Sequence, residues 1–179
     1  MTEVRWHGRG GQGCFTAARL LGLAAVLEGR YALAFPAFGP ERRGAPVAGY
    51  SRLDDHPVRN RSAIHFPDAV VVLDATLLGP AVFSGVRDST LVLVNAPEGA
   101  ELKTPEGSRV YRFDATALAR EWLGKPIVNT AMLGALSAIT GWIRLEYAEE
   151  AVASELRPQH REKNTGLLRE AFKRFSHVA

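Results

Sequence analysis

Two uninterrupted apolar runs sit in the middle of the chain. Ala69-Val70-Val71-Val72-Leu73 and Thr90-Leu91-Val92-Leu93-Val94-Asn95 are short and rich in β-branched residues. Such runs fit strands buried on both faces, as in a parallel sheet. Glu3 to His7 reads as a shorter strand at the start. From Cys14 to Glu28 the apolar positions Phe15, Ala18, Leu21, Leu23, Ala24 and Leu27 predict a helix, with Gly29 placed as a C-cap glycine. Tyr31 to Phe35 predicts a strand closed by Pro36, and Val47 to Leu53 another that ends in the turn Asp54-Asp55. Val110 to Phe113 is a further strand. Helices are predicted over Thr116–Leu123, Ala131–Trp142, Leu145–Glu155 and Glu162–Phe175. This alternation predicts an α/β fold: a three-layer, Rossmann-like domain with a largely parallel sheet and a C-terminal helical tail. The 179 residues suit a single domain. The α/β core is expected over approximately 1–145 and the tail over 146–179.

Composition narrows the class. Hydrophobic residues are 46% and charged residues 23% of the chain, so it can bury a core without disulfides or metals. No apolar run approaches the roughly 18 residues of a membrane span. The stretch after Met1 lacks the layout of a signal peptide, so a cytoplasmic location is expected. The single cysteine, Cys14, cannot by itself hold an iron–sulfur cluster or a CxxC zinc site. His56, His65, His160 and His177 show no metal-binding spacing, and no metal site is expected. A net charge of +3 is too mild for a nucleic-acid binder. The basic residues are mostly arginine, densest at Arg42, Arg43, Arg52, Arg59 and Arg61, where forked donors suit carboxylates, phosphates or a protein interface.

The sharpest motif is Gly8-Arg9-Gly10-Gly11-Gln12-Gly13. It follows a strand and opens a helix, the context of a phosphate-cradling loop. Glycine lets the backbone approach a ligand closely, and the first helical turn presents free N–H groups to an anion. Arg9 and Gln12 are candidate side-chain donors. A dinucleotide site also requires an acid about 20 residues further on for the ribose. Ala32-Leu33-Ala34-Phe35 stands there instead. A stand-alone nucleotide-binding module or NAD(P)-dependent oxidoreductase is therefore the alternative. A phosphate of another kind, or a subunit contact, leads. The same glycines would also serve a purely structural loop packed on a neighbouring chain.

A second loop, Pro36-Ala37-Phe38-Gly39-Pro40-Glu41-Arg42-Arg43-Gly44-Ala45-Pro46, holds three prolines and two glycines. Prolines stiffen such a segment, which presents Glu41, Arg42 and Arg43 from a fixed frame. Taken together, Arg9–Gly13 and Phe38–Gly44 resemble the gamma subunit, or gamma domain, of pyruvate and related 2-oxoacid:ferredoxin oxidoreductases. The resemblance continues through Asp68–Asp74, Asn129–Ala135 and Glu162-Lys163-Asn164, in order along nearly the whole chain.

The resemblance implies a division of labour. Complexes of this kind oxidatively decarboxylate a 2-oxoacid, make an acyl-CoA and pass electrons to ferredoxin. It implies alpha, beta and delta-type partner subunits. Thiamine diphosphate and iron–sulfur clusters lie on those partners, and the isolated gamma chain is inactive. No catalytic residue is assigned to this chain. The motif matches make Gly8, Arg9, Gly10, Gly11, Gln12 and Gly13 candidates for a CoA phosphate or a subunit contact. Glu41, Arg42, Arg43 and Gly44, with Gly39 and Pro40 in the same motif, are candidates for a subunit contact or CoA. Related sequences often carry a small or aliphatic residue where Cys14 stands, and burial rather than redox activity is expected for it. His7 reads as a structural histidine or an acid–base group. Asp74 closes a buried strand, where α/β sites often form or a turn is capped. Thr130 reads as a helix N-cap. Trp122 and Trp142 read as core or interface residues.

Overall fold

The computed structural model describes residues 1–37, 43–105 and 107–177. Six strands form one sheet: β1 (Thr2–Arg9), β2 (Tyr31–Pro36), β3 (Pro46–Asp54), β4 (Ala69–Val72), β5 (Leu91–Asn95) and β6 (Arg109–Phe113), in the order β2-β3-β1-β4-β5-β6. β1, β4, β5 and β6 run parallel. β3 runs against both β1 and β2. The sheet is therefore mixed. Its parallel half carries the two apolar runs, and its other half is the hairpin on either side of the second loop.

Alternation along β1 explains the layers. Val4 and Trp6 point to one face and are fully buried. That face carries α1 (Cys14–Leu27), α3 (Ala115–Leu123), α4 (Asn129–Thr140), α5 (Leu145–Glu155) and α6 (Pro158–Phe175), which share one core with Val71, Leu73 and Leu93. The predicted helices thus fold on one side of the sheet. The third layer is thin. A 3-10 turn (Ala75–Leu77), the one-turn helix α2 (Pro80–Phe83) and loop residues such as Ala100 and Leu102 cover Val70, Val72, Val92 and Val94. Neither short element was legible in the sequence, because each is too brief to show a period.

Small residues set the helix spacing. A Cβ on Gly49 would lie 3.4 Å from the Cys14 oxygen and the Phe15 Cα, so β3 passes close beneath α1. A Cβ on Gly166 would lie 2.2 Å from the Trp122 ring. Trp122 is thereby placed as a partly buried wedge between α3 and α6 and packs, like Trp142, against the core.

Two buried arginines hold the opposite face. Arg52 does not belong to a surface patch: it is 2% exposed, its Nε donates to Glu3 Oε1 at 2.6 Å, and its Nη1 donates to the Asn60 and Ser62 carbonyls. Arg5 donates to the carbonyls of Ile64, Val82 and Ser84. Together they pin the long connection between β3 and β4, and the α2 segment that follows β4, onto the sheet. Arg52→Met leaves Glu3 unpaired and two carbonyls without their donor. It should cost about 2 kcal/mol, a fall of roughly 4–8 °C in the thermal midpoint for a chain of this size. A melting curve recorded beside the parent protein checks this.

Candidate functional site

Open α/β sheets bind ligands outside the carboxyl ends of the strands, where the chain connections diverge. Here that point lies between β1 and β4. The chain leaves β1 over the helical face through α1. It leaves β4 over the opposite face through the 3-10 turn and α2. A cleft of about 610 Å³ opens there, lined by Gly10, Gly11, Gln12, Arg43, Leu73–Thr76, Asn95, Pro97, Thr116 and Pro126–Val128.

Its electrostatics come from the backbone. Gln12 immediately precedes the Gly13 cap of α1, Thr116 lies in the first turn of α3, and Val128 is the N-cap of α4. Three helix N-termini therefore converge on one cleft. Each carries a partial positive charge and N–H groups without intrahelical partners. The arrangement suits a ligand with a compact negative charge, such as a diphosphate.

The glycine loop gains its shape from the second loop. The Gly10 N–H donates to the Ala45 carbonyl at 2.9 Å, and the Gly44 N–H donates to the Gly10 carbonyl at 3.1 Å. Arg43 forms a bridge opposite Gly10 and lines the cleft. Gly11 (φ 93°), Gly13 (φ 77°) and Gly44 (φ 82°) occupy the left-handed region that L side chains rarely adopt. Gly8 lies inside β1, where an added Cβ would stand 3.3 Å from the Cys14 Cβ and from Gln12 Oε1. The structure thus joins the two motifs through residues 34 and 35 positions apart in sequence. Gly39, Pro40, Glu41 and Arg42 lie outside the described residues.

The side chains of Arg9 and Gln12 are both engaged within the chain. Arg9 Nε and Gln12 Nε2 both donate to Asp74 Oδ2, at 3.0 and 3.1 Å. Arg9 also donates to Thr76 Oγ1 and to the Gly44 carbonyl. Gln12 Oε1 in turn accepts the Arg9 N–H. Asp74 caps the 3-10 turn by accepting the Thr76 N–H and its hydroxyl. Burial works against the charge of Asp74, but the hydrogen bonds from Thr76, Gln12 and Arg9 outweigh it and hold the carboxyl below its ordinary pKa. Asp74 is thus the hub that fixes the glycine loop, a role its sequence position hinted at but did not specify.

Asn95 was not singled out in the sequence. Its Nδ2 donates to the Leu73 carbonyl and to Thr116 Oγ1, and its Oδ1 accepts the Thr116 N–H. It ties the ends of β4 and β5 to the start of α3. Its place, last in a buried apolar strand, was the available signal. α4 begins one residue earlier than its expected cap. Val128 is the N-cap, and Thr130 lies within the first turn, its N–H donating to Asn129 Oδ1.

The whole chain matches known proteins. Residues 3–174 fit the family model described as pyruvate ferredoxin/flavodoxin oxidoreductase. The chain belongs to this family. A "pyruvate/ketoisovalerate oxidoreductases common subunit gamma" from Pyrococcus furiosus is 46% identical over 97% of both chains. A "pyruvate synthase subunit PorC" from Methanothermobacter marburgensis is 43% identical over 99% of both. Among solved structures, a pyruvate oxidoreductase subunit PORC from Thermotoga maritima superposes with a TM-score of 0.84. It is 37% identical and covers 96% of this chain and 95% of that one. The family resemblance read from the two loops is therefore correct, and it extends over the α/β fold as a whole.

In this family chain the lone thiol is structural. Cys14 is 3% exposed, its Sγ donates to the Trp6 carbonyl at 3.2 Å, and burial pushes its pKa up to about 12. Its helix N-terminus does not make it reactive, because desolvation dominates. No helix among the described residues is long and apolar enough to cross a membrane. Among them, no group of three or more His, Cys, Asp or Glu is placed to hold a metal.

His7 points away from the helical layer and does not line the cleft. Burial, with a smaller push from Arg5, lowers its pKa to about 4. Its Nε2 is buried without a partner among the described residues. In the unfolded chain an ordinary histidine titrates near 6.5, so below that pH the unfolded state binds the extra proton. Stability should fall as pH drops from about 6.5 through about 4, by up to about 3 kcal/mol. His7→Gln should flatten this limb in denaturant midpoints measured at pH 7 and pH 5. An unchanged pH slope would show that His7 does not cause it.

Proposed function

We propose that the chain is the gamma subunit of a multi-subunit 2-oxoacid:ferredoxin oxidoreductase acting on pyruvate. The complex makes an acyl-CoA by CoA-dependent oxidative decarboxylation, releases carbon dioxide and passes two electrons to ferredoxin. The chain acts as one gamma domain with alpha, beta and delta-type partners in the cytoplasm. Thiamine diphosphate, which supplies the carbanion chemistry when bound, and the iron–sulfur clusters belong to those partners. A buried lone thiol with a pKa pushed up to about 12 does not suit cluster ligation here.

In this reading the cleft holds CoA through its diphosphate. The supporting observation is the convergence of the α1, α3 and α4 N-termini on the space beside Gly10 and Gly11. Gly11 and the first turns orient the diphosphate. Asp74, Arg9 and Gln12 hold the loop, and Arg43 and Gly44 brace it from the second loop, beside the subunit contact that Glu41 and Arg42 would make. No side chain of this chain takes part in bond making. The NAD(P) alternative loses support from topology. The strand beside β1 on the hairpin side is antiparallel β3, and β2, which ends in Phe35-Pro36, lies one strand further out. The position of the ribose-binding acid therefore does not exist in this sheet.

Calorimetric titration of the full chain should show CoA binding and no NAD+ binding. The lone chain, given pyruvate and CoA, should not reduce ferredoxin, and turnover by the lone chain would overturn the subunit reading. Gly11→Val meets no atom within 4 Å of its Cβ position, but φ 93° is strained for any L side chain, so the loop backbone beside the cleft must shift. The complex should still assemble, with a melting midpoint a few degrees lower, and show a KM for CoA raised roughly ten-fold or more. An unchanged KM would favour a purely structural loop.

A further inference from the structure

The two edges of the sheet are unlike. β6 is guarded: Arg109 and Arg112 stand exposed on it, and Arg112 Nη2 donates to the Ala100 carbonyl. β2 carries no charged residue, and no described strand pairs with its outer side. An open apolar edge is a template for another strand, and proteins that leave one free ordinarily blunt it with charge. Exposed apolar side chains gather at this edge. Tyr31 is 50% exposed on β2, and Val26 is 51% exposed on α1. A groove of about 260 Å³ lies beside the strand, where Leu23, Val26, Ala32 and Ala34 give an apolar lining and the paired Arg19 and Glu155 a charged one.

The register of β2 on β3 fixes which backbone groups face outward. The Ala37 N–H donates to the Ala48 carbonyl, so the hydrogen-bonded pairs recur at Phe35–Tyr50, Leu33–Arg52 and Tyr31–Asp54. Ala32, Ala34 and Pro36 therefore turn their backbone groups to the open side. Of these, Ala32 and Ala34 have an N–H to donate and Pro36 has none. At the other end of the strand the Arg30 N–H already donates to the Ala25 carbonyl. The open side is thus two donors long and closed at both ends. Ala32 and Ala34 point to the helical layer, within van der Waals reach of a Cβ added at Gly22. Tyr31, Leu33 and Phe35 point to the other face, where Phe35 packs on Tyr50 at 5.1 Å between ring centroids.

This edge is complementary to itself. We propose that β2 pairs antiparallel with β2 of a second copy of this chain, about a two-fold axis at Leu33. Ala32 then lies opposite the second copy's Ala34, and Ala34 opposite its Ala32. Each pair exchanges two hydrogen bonds, so both outward N–H groups of each chain find a carbonyl. Leu33 meets its own copy and Tyr31 meets Phe35, apolar and aromatic cross-strand pairs that stabilise a sheet. Arg30 falls opposite Pro36, where neither has a donor left, and the ladder stops. An axis at Ala34 would set Ala32 against Pro36 and lose a hydrogen bond at each end. Shifts to either side of Leu33 by half a residue would oppose outward groups to inward ones. One patch serving on both chains is the usual form of a homodimer contact. The two grooves then lie side by side, which covers Val26. β3 and β1 separate β2 from the cleft beside β4, so the cleft stays open.

The full chain, unmodified, should sediment at twice its 19.5 kDa mass at micromolar concentration. Leu33→Cys tests the register. The two copies of this position form a non-hydrogen-bonded pair with Cα atoms about 4.5 Å apart, within reach of a disulfide. Under mild oxidation the variant should run as a dimer on a non-reducing gel. Tyr31→Cys lies roughly 14 Å from its own copy and should stay single under the same conditions. Cys14 is buried and does not compete. A parent chain that sediments as a monomer would overturn the proposal, as would equal cross-linking at positions 31 and 33. A monomer whose Ala32 and Ala34 amides gain exchange protection only when the partner subunits are added would assign this edge to one of those subunits instead.

Discussion

Gly134→Val should cost about 4 kcal/mol or more, which lowers the thermal midpoint by on the order of 10 °C. Gly134 lies in the middle of α4, where glycine is a poor helix former. Its presence is explained by α6. A Cβ built there would stand 2.4 Å from the Leu168 carbonyl oxygen and 3.1 Å from its carbon. The obstacle is backbone, so no rotamer change relieves it. The two helices must separate, and Ala171, Leu167 and Leu168 lose their fit in the shared core. Circular dichroism melts of parent and variant give the measurement. A shift of only a few degrees would mean that α6 can slide past α4. Because α4 begins at the cleft, the same substitution should also weaken CoA binding.

The second large effect is expected in activity. Gly13→Ala places a side chain at φ 77°, a conformation that costs an L residue roughly 1–2 kcal/mol. Its Cβ would also lie 2.6 Å from Asn129 Nδ2. Asn129 is buried and its Oδ1 is bonded to the Thr130 N–H, so it cannot simply rotate away. The cap of α1 must shift, and with it the geometry that three helix ends share. Displacement of a positioning element by about 1 Å can cost around 10²-fold in rate. The assembled complex should lose CoA-dependent turnover on that scale while its melting midpoint falls by only a few degrees. A complex with unchanged kcat/KM for CoA would show that the glycine loop does not position the ligand. Together the two glycines separate the roles. One is required because helices approach, the other because a loop must turn.

Much of this molecule was legible before folding. The runs at 69–73 and 90–95 fit strands covered on both faces, and they hold β4 and β5. The α1 pattern and Gly29 placed that helix to within a residue. The two loop motifs identified the family because their residues are unusual together. Other readings needed coordinates. Arg52 looked like part of a basic patch, yet it is buried, since alternation along β3 turns it to a face covered by the 60–66 segment. Arg9 and Gln12 looked like ligand donors, yet both serve Asp74, a residue 62 positions from Gln12. Asn95 and Thr116 gave no motif, because their pairing arises where one strand end meets the start of a helix.

The sequence by itself determined the α/β class, the strands, the glycine loop and the family, since periodicity, turn chemistry and motif spacing are local properties. Only the tertiary structure decided what the glycine loop faces. Strand order brings the ends of β1, β4 and β5 together. Helix packing aims three N-termini at one cleft. A carboxylate from the turn after β4 then engages the two side chains that sequence had offered to a ligand. Charge, burial and hydrogen-bond partners depend on neighbours in space, and those neighbours come from segments that no local pattern connects.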